Sequence, residues 1–346
     1  MYPETDRETQ TSSRQLTVSL FLIVAALVLG ACSSMTMEES GSDRHQIVVF
    51  SDTHLPGNIV SEKERVLQTV NSWTDVDMVV VTGDIVSKGG SAEEFAYARQ
   101  FFSKLTKPLR VIGGNHDYIY PDSYPPNPAT GHTLKEASAE ARKAKLERFK
   151  QTWGLKEVHY AERMGNYLLI FLTPDDLVSN NYTQMSEQQL AWLDETLSRN
   201  RDIPTIIFFH GPLEGSYTTQ RIIKATTPDS YNAEPARKIR EILLRHDQVF
   251  LWVAGHLHLA PMNPSFNSAI NLYERQVWVI HNADMNGDSI FSDTDMKKAP
   301  RHDTIWTNSL VLLPDRVLVK TFDHKRGIWL SELNRTIALP ARLVRK

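Results

Sequence analysis

The chain has 346 residues, 41% hydrophobic and 23% charged, values that exclude a disordered polymer, a collagen-like rod or a multispanning membrane bundle. Its 38 basic and 41 acidic residues give a formal charge of −3. That excludes a generally basic nucleic-acid binder, and no nucleic-acid partner is evident. One cysteine and twelve histidines exclude internal disulfides and cysteine-rich zinc sites, and leave nitrogen and oxygen ligands as the route to any metal.

The first element in chain order is an address. Leu20–Leu29 (LFLIVAALVL) is a run of apolar residues too short to span a bilayer comfortably, but sized like the apolar region of a signal peptide. It ends in Leu29-Gly30-Ala31-Cys32, followed by Ser33-Ser34. Small residues before a cysteine, directly after such a run, resemble the bacterial lipoprotein lipobox. The resemblance implies that residues 1–31 are a signal peptide and that Cys32 is lipidated as the mature N-terminus. It also implies a membrane-anchored protein of the cell envelope, facing the periplasm or the exterior. Ahead of the run, Glu4, Asp6 and Glu8 stand against Arg7 and Arg14, where a net positive charge is usual. Residues 32–45 are small and polar and read as a flexible tether. Residues 46–346 read as one domain, with no repeat and no convincing boundary.

From Gln46 onward, short apolar runs alternate with amphipathic stretches. Gln46–Phe50, Met78–Val81 and Leu109–Ile112 read as strands, with helices over Ser61–Trp73 and Ala92–Lys104 between them. That order predicts a largely parallel sheet covered by helices. Residues 118–133 hold four prolines and read as a loop before a helix over Leu134–Trp153. Asn166–Leu172 reads as a strand. Ser186–Asn200 reads as a helix with a serine N-cap and Leu190, Leu193 and Leu197 on one face. Thr205–Phe209 and Val249–Ala254 are further buried strands. The runs VWVI, LVLL and VLVKTF after Gln276 read as closely spaced antiparallel strands. Trp73, Trp153, Trp192, Trp252 and Trp278 read as core.

Polar residues stand just beyond the predicted strands: Asp52-Thr53-His54, Gly83-Asp84, Gly114-Asn115-His116-Asp117, His210-Gly211 and Gly255-His256-Leu257-His258. In an open α/β sheet the loops at the carboxyl ends of strands share one edge, so these residues can converge. Seven nitrogen and oxygen ligands (Asp52, His54, Asp84, Asn115, His210, His256 and His258) are too many for one zinc with an open position. They suit two ions about 3.5–4 Å apart with a bridging carboxylate. The D-x-H and H-x-H spacings would point alternate side chains of an extended segment to one side. Glycines 83, 114 and 255 would permit close backbone approach.

The order D-x-H, G-D, G-N-H-D, H, G-H-x-H resembles that of the calcineurin-like metallophosphoesterase superfamily. The resemblance implies a four-layer α/β/β/α sandwich with mixed sheets and a dinuclear metal site at the carboxyl edge of the strands. Asp52, His54 and His258 would bind one metal, Asn115, His210 and His256 the other, and Asp84 both. His116 would stand nearby as the catalytic residue. The metals would be two divalent or trivalent ions, manganese, iron or zinc. The implied reaction is hydrolysis of phosphate mono- or diesters by a metal-bridging hydroxide, in the manner of a phosphodiesterase or a phosphatase. The alternative is a catalytically weak metal- or phosphate-binding envelope lipoprotein.

The protein-phosphatase branches place an aspartate and an arginine where this chain has Ser87 and Lys88, so the partner that orients His116 must be sought elsewhere. Tyr118 and Tyr120 either flank the substrate or pack the loop. His281 is expected to border the site. His45, His159, His246 and His324 are expected on surfaces or strand ends. The loop His132 and the polar-stretch His302 are expected to be solvated.

Overall fold

The computed structural model of the chain describes residues 44–122, 136–218, 228–292 and 303–344. The expected signal peptide, Cys32, most of the expected tether, His132 and His302 lie outside these residues. In β1 (His45–Phe50), Ile47 and Val49 pack into one apolar cluster and Val48 and Phe50 into another. Neighbouring strand side chains point to opposite faces, so a strand buried on both faces needs a packed layer on each side. β2 (Met78–Thr82) divides the same way, Met78 and Val80 against Val79 and Val81.

One side of this sheet is covered by three helices, α1 (Val60–Ser72), α2 (Ala92–Phe102) and α3 (Ala139–Trp153), whose apolar faces supply Val66, Phe95, Phe101 and Phe149. α2 starts at a capping box: Ser91 Oγ accepts from Glu94 N while Glu94 accepts from Ser91 N. α3 starts five residues later than the sequence suggests. Ser138 caps it, its side chain accepting from Ala141 N, and residues 136–138 are not helical.

The other side faces a second sheet. β4 (His159–Met164), β5 (Tyr167–Leu172), β6 (Thr205–Phe209), β7 (Val249–Ala254), β8 (Leu272–Tyr273) and β9 (Val277–His281) are arranged in the order β4-β5-β6-β7-β9-β8. Leu169, Phe171, Ile206 and Phe208 fill the layer between the sheets. Their strand neighbours Ile170, Leu172, Ile207 and Phe209 pack under α4 (Glu187–Arg199) and α5 (Ala236–Arg245), against Leu190, Leu193 and Ile239. Helices, sheet, sheet and helices make the expected four-layer α/β/β/α sandwich. The first sheet is completed by β3 (Leu109–Ile112), β10 (Trp306–Leu312), β11 (Arg316–Asp323), β12 (Ile328–Trp329) and β13 (Arg335–Ala338). Its order is β12-β11-β10-β1-β2-β3, with β13 on β11. β1, β2 and β3 run parallel while β10 and β11 run antiparallel, so the sheet is mixed.

The C-terminal strands correct one expectation. β9, the VWVI run, pairs parallel to β7 in the second sheet, whereas β10 and β11 pair antiparallel in the first. The segment 255–276 is long enough for the crossover a parallel pair requires, and apolar runs alone carry no strand direction. The tryptophans also differ from expectation. Trp252 is fully buried, while Trp73, Trp153, Trp192 and Trp278 are half-buried and pack against the core from its margin. His246 is buried at the C-terminus of α5 rather than at a surface, its Nε2 2.7 Å from Asp194 Oδ1.

Candidate metal centre

β1, β2, β3, β6 and β7 all end at one edge of the two sheets, and the polar blocks follow them there. The backbone turns sharply at this edge. Asp52, His54, Asp84, His256 and His258 have φ of 48°, 43°, 49°, 67° and 53°. Left-handed backbone costs a residue with a Cβ about 1 kcal/mol or more, and persists only where surrounding bonds enforce it. Here Asp52 N donates to Gly83 O at 3.1 Å and His54 N to Asp84 O at 2.9 Å, lacing the first two blocks together. The D-x-H and H-x-H pairs therefore converge by turning at each residue, not by alternation along an extended segment.

The side chains form two groups with one shared member. In Asp52, His54, Asp84 and His258 one ligand atom from each lies within 4.8 Å of the others, and Asp84, His210 and His256 meet the same condition. His54 Nε2 and His258 Nε2 are 3.3 Å apart, and His258 Nε2 is 3.2 Å from Asp52 Oδ1. His210 Nε2 is 3.3 Å from Asp84 Oδ2 and 3.2 Å from Asn115 Oδ1, which brings Asn115 to the second group. The Asn115 amide donates from Nδ2 to Tyr120 Oη at 2.9 Å, and this assigns its oxygen to the centre. All seven predicted ligands thus converge.

The electrostatics fit cations. Burial would raise Asp52 and Asp84, but the surrounding histidines outweigh it and hold both carboxyls below the usual range. Burial lowers His54, with His116 adding to the effect, and pushes His256 down to about 3. Neutral imidazoles offer the lone pairs a metal needs. His256 Nε2 is buried with no hydrogen-bond partner among the described residues, although water is excluded from it. An orphaned buried acceptor costs free energy unless something binds it. Burial also lowers His210, yet Asp84 and Asp52 outweigh it and push this ring up to about 9. The same anionic field attracts a cation. His210 Nδ1 faces Thr82 O at 2.8 Å, which fixes Nδ1–H as donor and turns Nε2 to the group. Two carboxylates, four imidazoles and an amide oxygen therefore suit two divalent ions.

His116 is half-buried beside the centre. Its backbone N–H donates to Asp84 Oδ1 at 2.8 Å, and its ring meets His54 and Tyr120 edge-on at 4.8 and 4.9 Å. Its Nδ1 faces the backbone carbonyl of Ser87 at 3.0 Å. The carbonyl does the orienting that the sequence could not assign, while the Ser87 hydroxyl points to Glu94 Oε1 at 3.4 Å. Lys88 is exposed, its N–H held by Glu94 at 2.8 Å. Tyr118 is buried and donates to Asp176 O at 3.3 Å, so it packs the loop. His281 ends β9 beside Ala254 of β7, with Nε2 3.1 Å from Ser216 O, and is not in either group.

Further residues support the centre from behind the ligands. Asp117 accepts from Gly114 N at 2.7 Å, Ile85 N at 3.1 Å and Val86 N at 3.1 Å, tying the second block to the third. Burial and the Asp84 charge push its carboxyl up to about 7, against those three bonds. Ser51 Oγ donates to Asp52 Oδ2. Lys63 is fully buried, donating to Asn286 Oδ1 at 2.9 Å and Pro56 O at 3.3 Å. A helix lysine ordinarily reads as solvated, so only the fold reveals this one. Gly114 and Gly255 are required sterically: a Cβ would overlap Asp84 at the first and Ser51 and Asp52 at the second.

Known proteins resemble this chain. Residues 45–260 match the family described as calcineurin-like phosphoesterase. The chain is 24% identical over 224 residues to a probable glycerophosphodiester phosphodiesterase GpdQ of Arcobacter nitrofigilis, covering 61% of this chain and 71% of the relative. It is 22% identical over 241 residues to the 3′,5′-cyclic adenosine monophosphate phosphodiesterase CpdA of Escherichia coli, covering 65% and 74%. A dimetal phosphatase from Danio rerio superposes with a TM-score of 0.55 at 14% identity, covering 86% of this chain and 99% of that one, a likeness of fold. With both the matched span and the site geometry in place, the chain belongs to the calcineurin-like phosphoesterase family.

Proposed function

We propose that this metal-dependent phosphoester hydrolase acts on phosphodiesters, with Asp52, His54 and His258 holding one ion, Asn115, His210 and His256 the other, and Asp84 bridging them. The observation that carries the reading is Asp84, the one residue common to both buried groups. Two such ions would supply Lewis acidity and a water of lowered pKa at the phosphorus. The chain's own residues do the rest. Asp52 and Asp84 set a buried anionic field that would hold the ions. His116, donating from Nδ1 to the Ser87 carbonyl, presents Nε2 as its second nitrogen. Protonated there, it donates to the departing oxygen, the part of a general acid. No side-chain nucleophile is required. The names of the two phosphodiesterase relatives support a diester over a monoester.

Manganese-loaded protein should hydrolyse bis-p-nitrophenyl phosphate, faster than p-nitrophenyl phosphate. Asp84→Ala should lose activity by about a thousandfold or more, because both groups lose a ligand. Unchanged turnover in Asp84→Ala would sink the assignment. Two bound ions with no hydrolysis of either ester would favour a binding role instead.

The reading extends to location. The Leu29-Gly30-Ala31-Cys32 motif after Leu20–Leu29 supports a lipid anchor on Cys32, removal of residues 1–31 and a tether from Cys32 to the start of β1 at His45, one residue shorter than the sequence suggests. Cell fractionation tests it: Cys32→Ser should move the protein out of the membrane fraction, and retention there contradicts the anchor.

A further inference from the structure

Three tyrosines form a continuous wall along one side of the centre, between the proposed acid His116 and the proposed ligand His256. Tyr120 meets His116 edge-on at 4.9 Å and Tyr182 at 6.3 Å. Tyr182 meets Tyr231 at 5.7 Å, with the ring planes at 90°. Tyr231 stacks on His256 at 5.4 Å, and Tyr182 meets the same imidazole edge-on at 6.0 Å. The rings come from three separate segments: the loop after the third block, the connection from β5 to α4, and the short helical turn Pro228–Tyr231. Tyr120 is buried, while Tyr182 and Tyr231 remain partly exposed. Three segments converge to place aromatic rings beside two imidazoles of the centre.

We infer that this wall selects phosphoesters carrying a planar aromatic ring, a nucleobase or an aryl group, which lies against Tyr182 and Tyr231 while the phosphate sits at the metal centre. The inference rests on the proposed reading of the centre for the phosphate's position. Tyrosine rings are stiff, so ordering them costs little, and their faces gain from a flat apolar partner and little from a glycerol chain. Stacking tolerates any base, because every base has a π-face.

The test is binding, independent of turnover. Calorimetry on the manganese-loaded full chain would compare adenosine 5′-monophosphate, phenyl phosphate and ribose 5-phosphate, the last being the first without its base. At least one ring-bearing ligand should bind about tenfold tighter than ribose 5-phosphate. A gain by the nucleotide assigns the wall to a nucleobase. A gain by phenyl phosphate alone assigns it to an aryl ester. Tyr182→Ala and Tyr231→Ala should each bring that preference to within about twofold of unity, and the two phenylalanine variants should keep it. Metal content, measured in every variant, separates the wall from support of His256. Equal affinities in the wild type, or alanine variants that weaken all three ligands alike, would overturn the inference. A preserved preference in a protein that hydrolyses no ester would contradict the catalytic reading and leave this inference standing.

Discussion

The layer between the two sheets and the edge where the strands end are built by opposite rules. Between the sheets, Ile47, Val49, Leu169, Phe171, Ile206 and Phe208 are at most 1% exposed and pack in one apolar cluster. Strand geometry alone puts them there. A few residues further along the same strands, the chain buries two carboxylates and four imidazoles, and holds five of these six in left-handed backbone. Buried charge and strained φ both cost free energy, and the hydrogen bonds that lace the blocks together offset that cost. The contrast teaches that the sandwich carries the stability and the edge spends part of it on holding a site.

The division can be broken from either side. The largest effect is expected at the edge, on activity alone. His116→Ala should lower kcat on bis-p-nitrophenyl phosphate by about a hundredfold to ten-thousandfold, since that is the span of a general acid's contribution. Metal content should stay unchanged because His116 lies outside both ligand groups. Loss of metal in this variant would show that the residue holds the centre instead.

Next comes the intersheet layer, where the effect should fall on stability. Phe208 is fully buried and stacks on Phe171 at 5.1 Å. Phe208→Ala should cost about 3–5 kcal/mol in urea denaturation through the cavity it leaves. A loss below about 1 kcal/mol would mean that the layer collapses around the gap.

The smallest effect sharpens the boundary between the two regions. Burial pushes His281 down to about 4, below the unfolded value of 6.5. The unfolded chain therefore takes up a proton there before the folded one does. Its contribution is fully present above about pH 6.5 and is lost as pH falls toward 4, at no more than about 1.4 kcal/mol per pH unit. His281→Gln should flatten the acid limb of stability against pH by up to one proton. An identical slope would show that the ring does not titrate with folding.

Much of this was legible in the sequence, for reasons particular residues make plain. The buried strands announce themselves as apolar runs, and the blocks after them converge because parallel strands share one carboxyl edge. Where the sequence misled, the missing information was three-dimensional. The VWVI run carries no strand direction, so its parallel pairing with β7 could not be read. The helix expected from Leu134 begins at Ala139, because the cap at Ser138 outweighs the helical composition before it. The partner of His116 is a backbone carbonyl, which every residue possesses, so no side-chain pattern marks Ser87. Tyr182 and Tyr231 sit in connections without periodicity, and Lys63 looks like any solvated helix lysine.

The central claim is that one carboxylate, Asp84, serves two ions. The most direct test is metal stoichiometry: chelator-stripped protein titrated with manganese, with bound ions counted per chain by mass spectrometry of the metal. Two ions per wild-type chain, falling below two in Asp84→Ala, is the predicted result. One ion or none in the wild type, or two retained in Asp84→Ala, would contradict it.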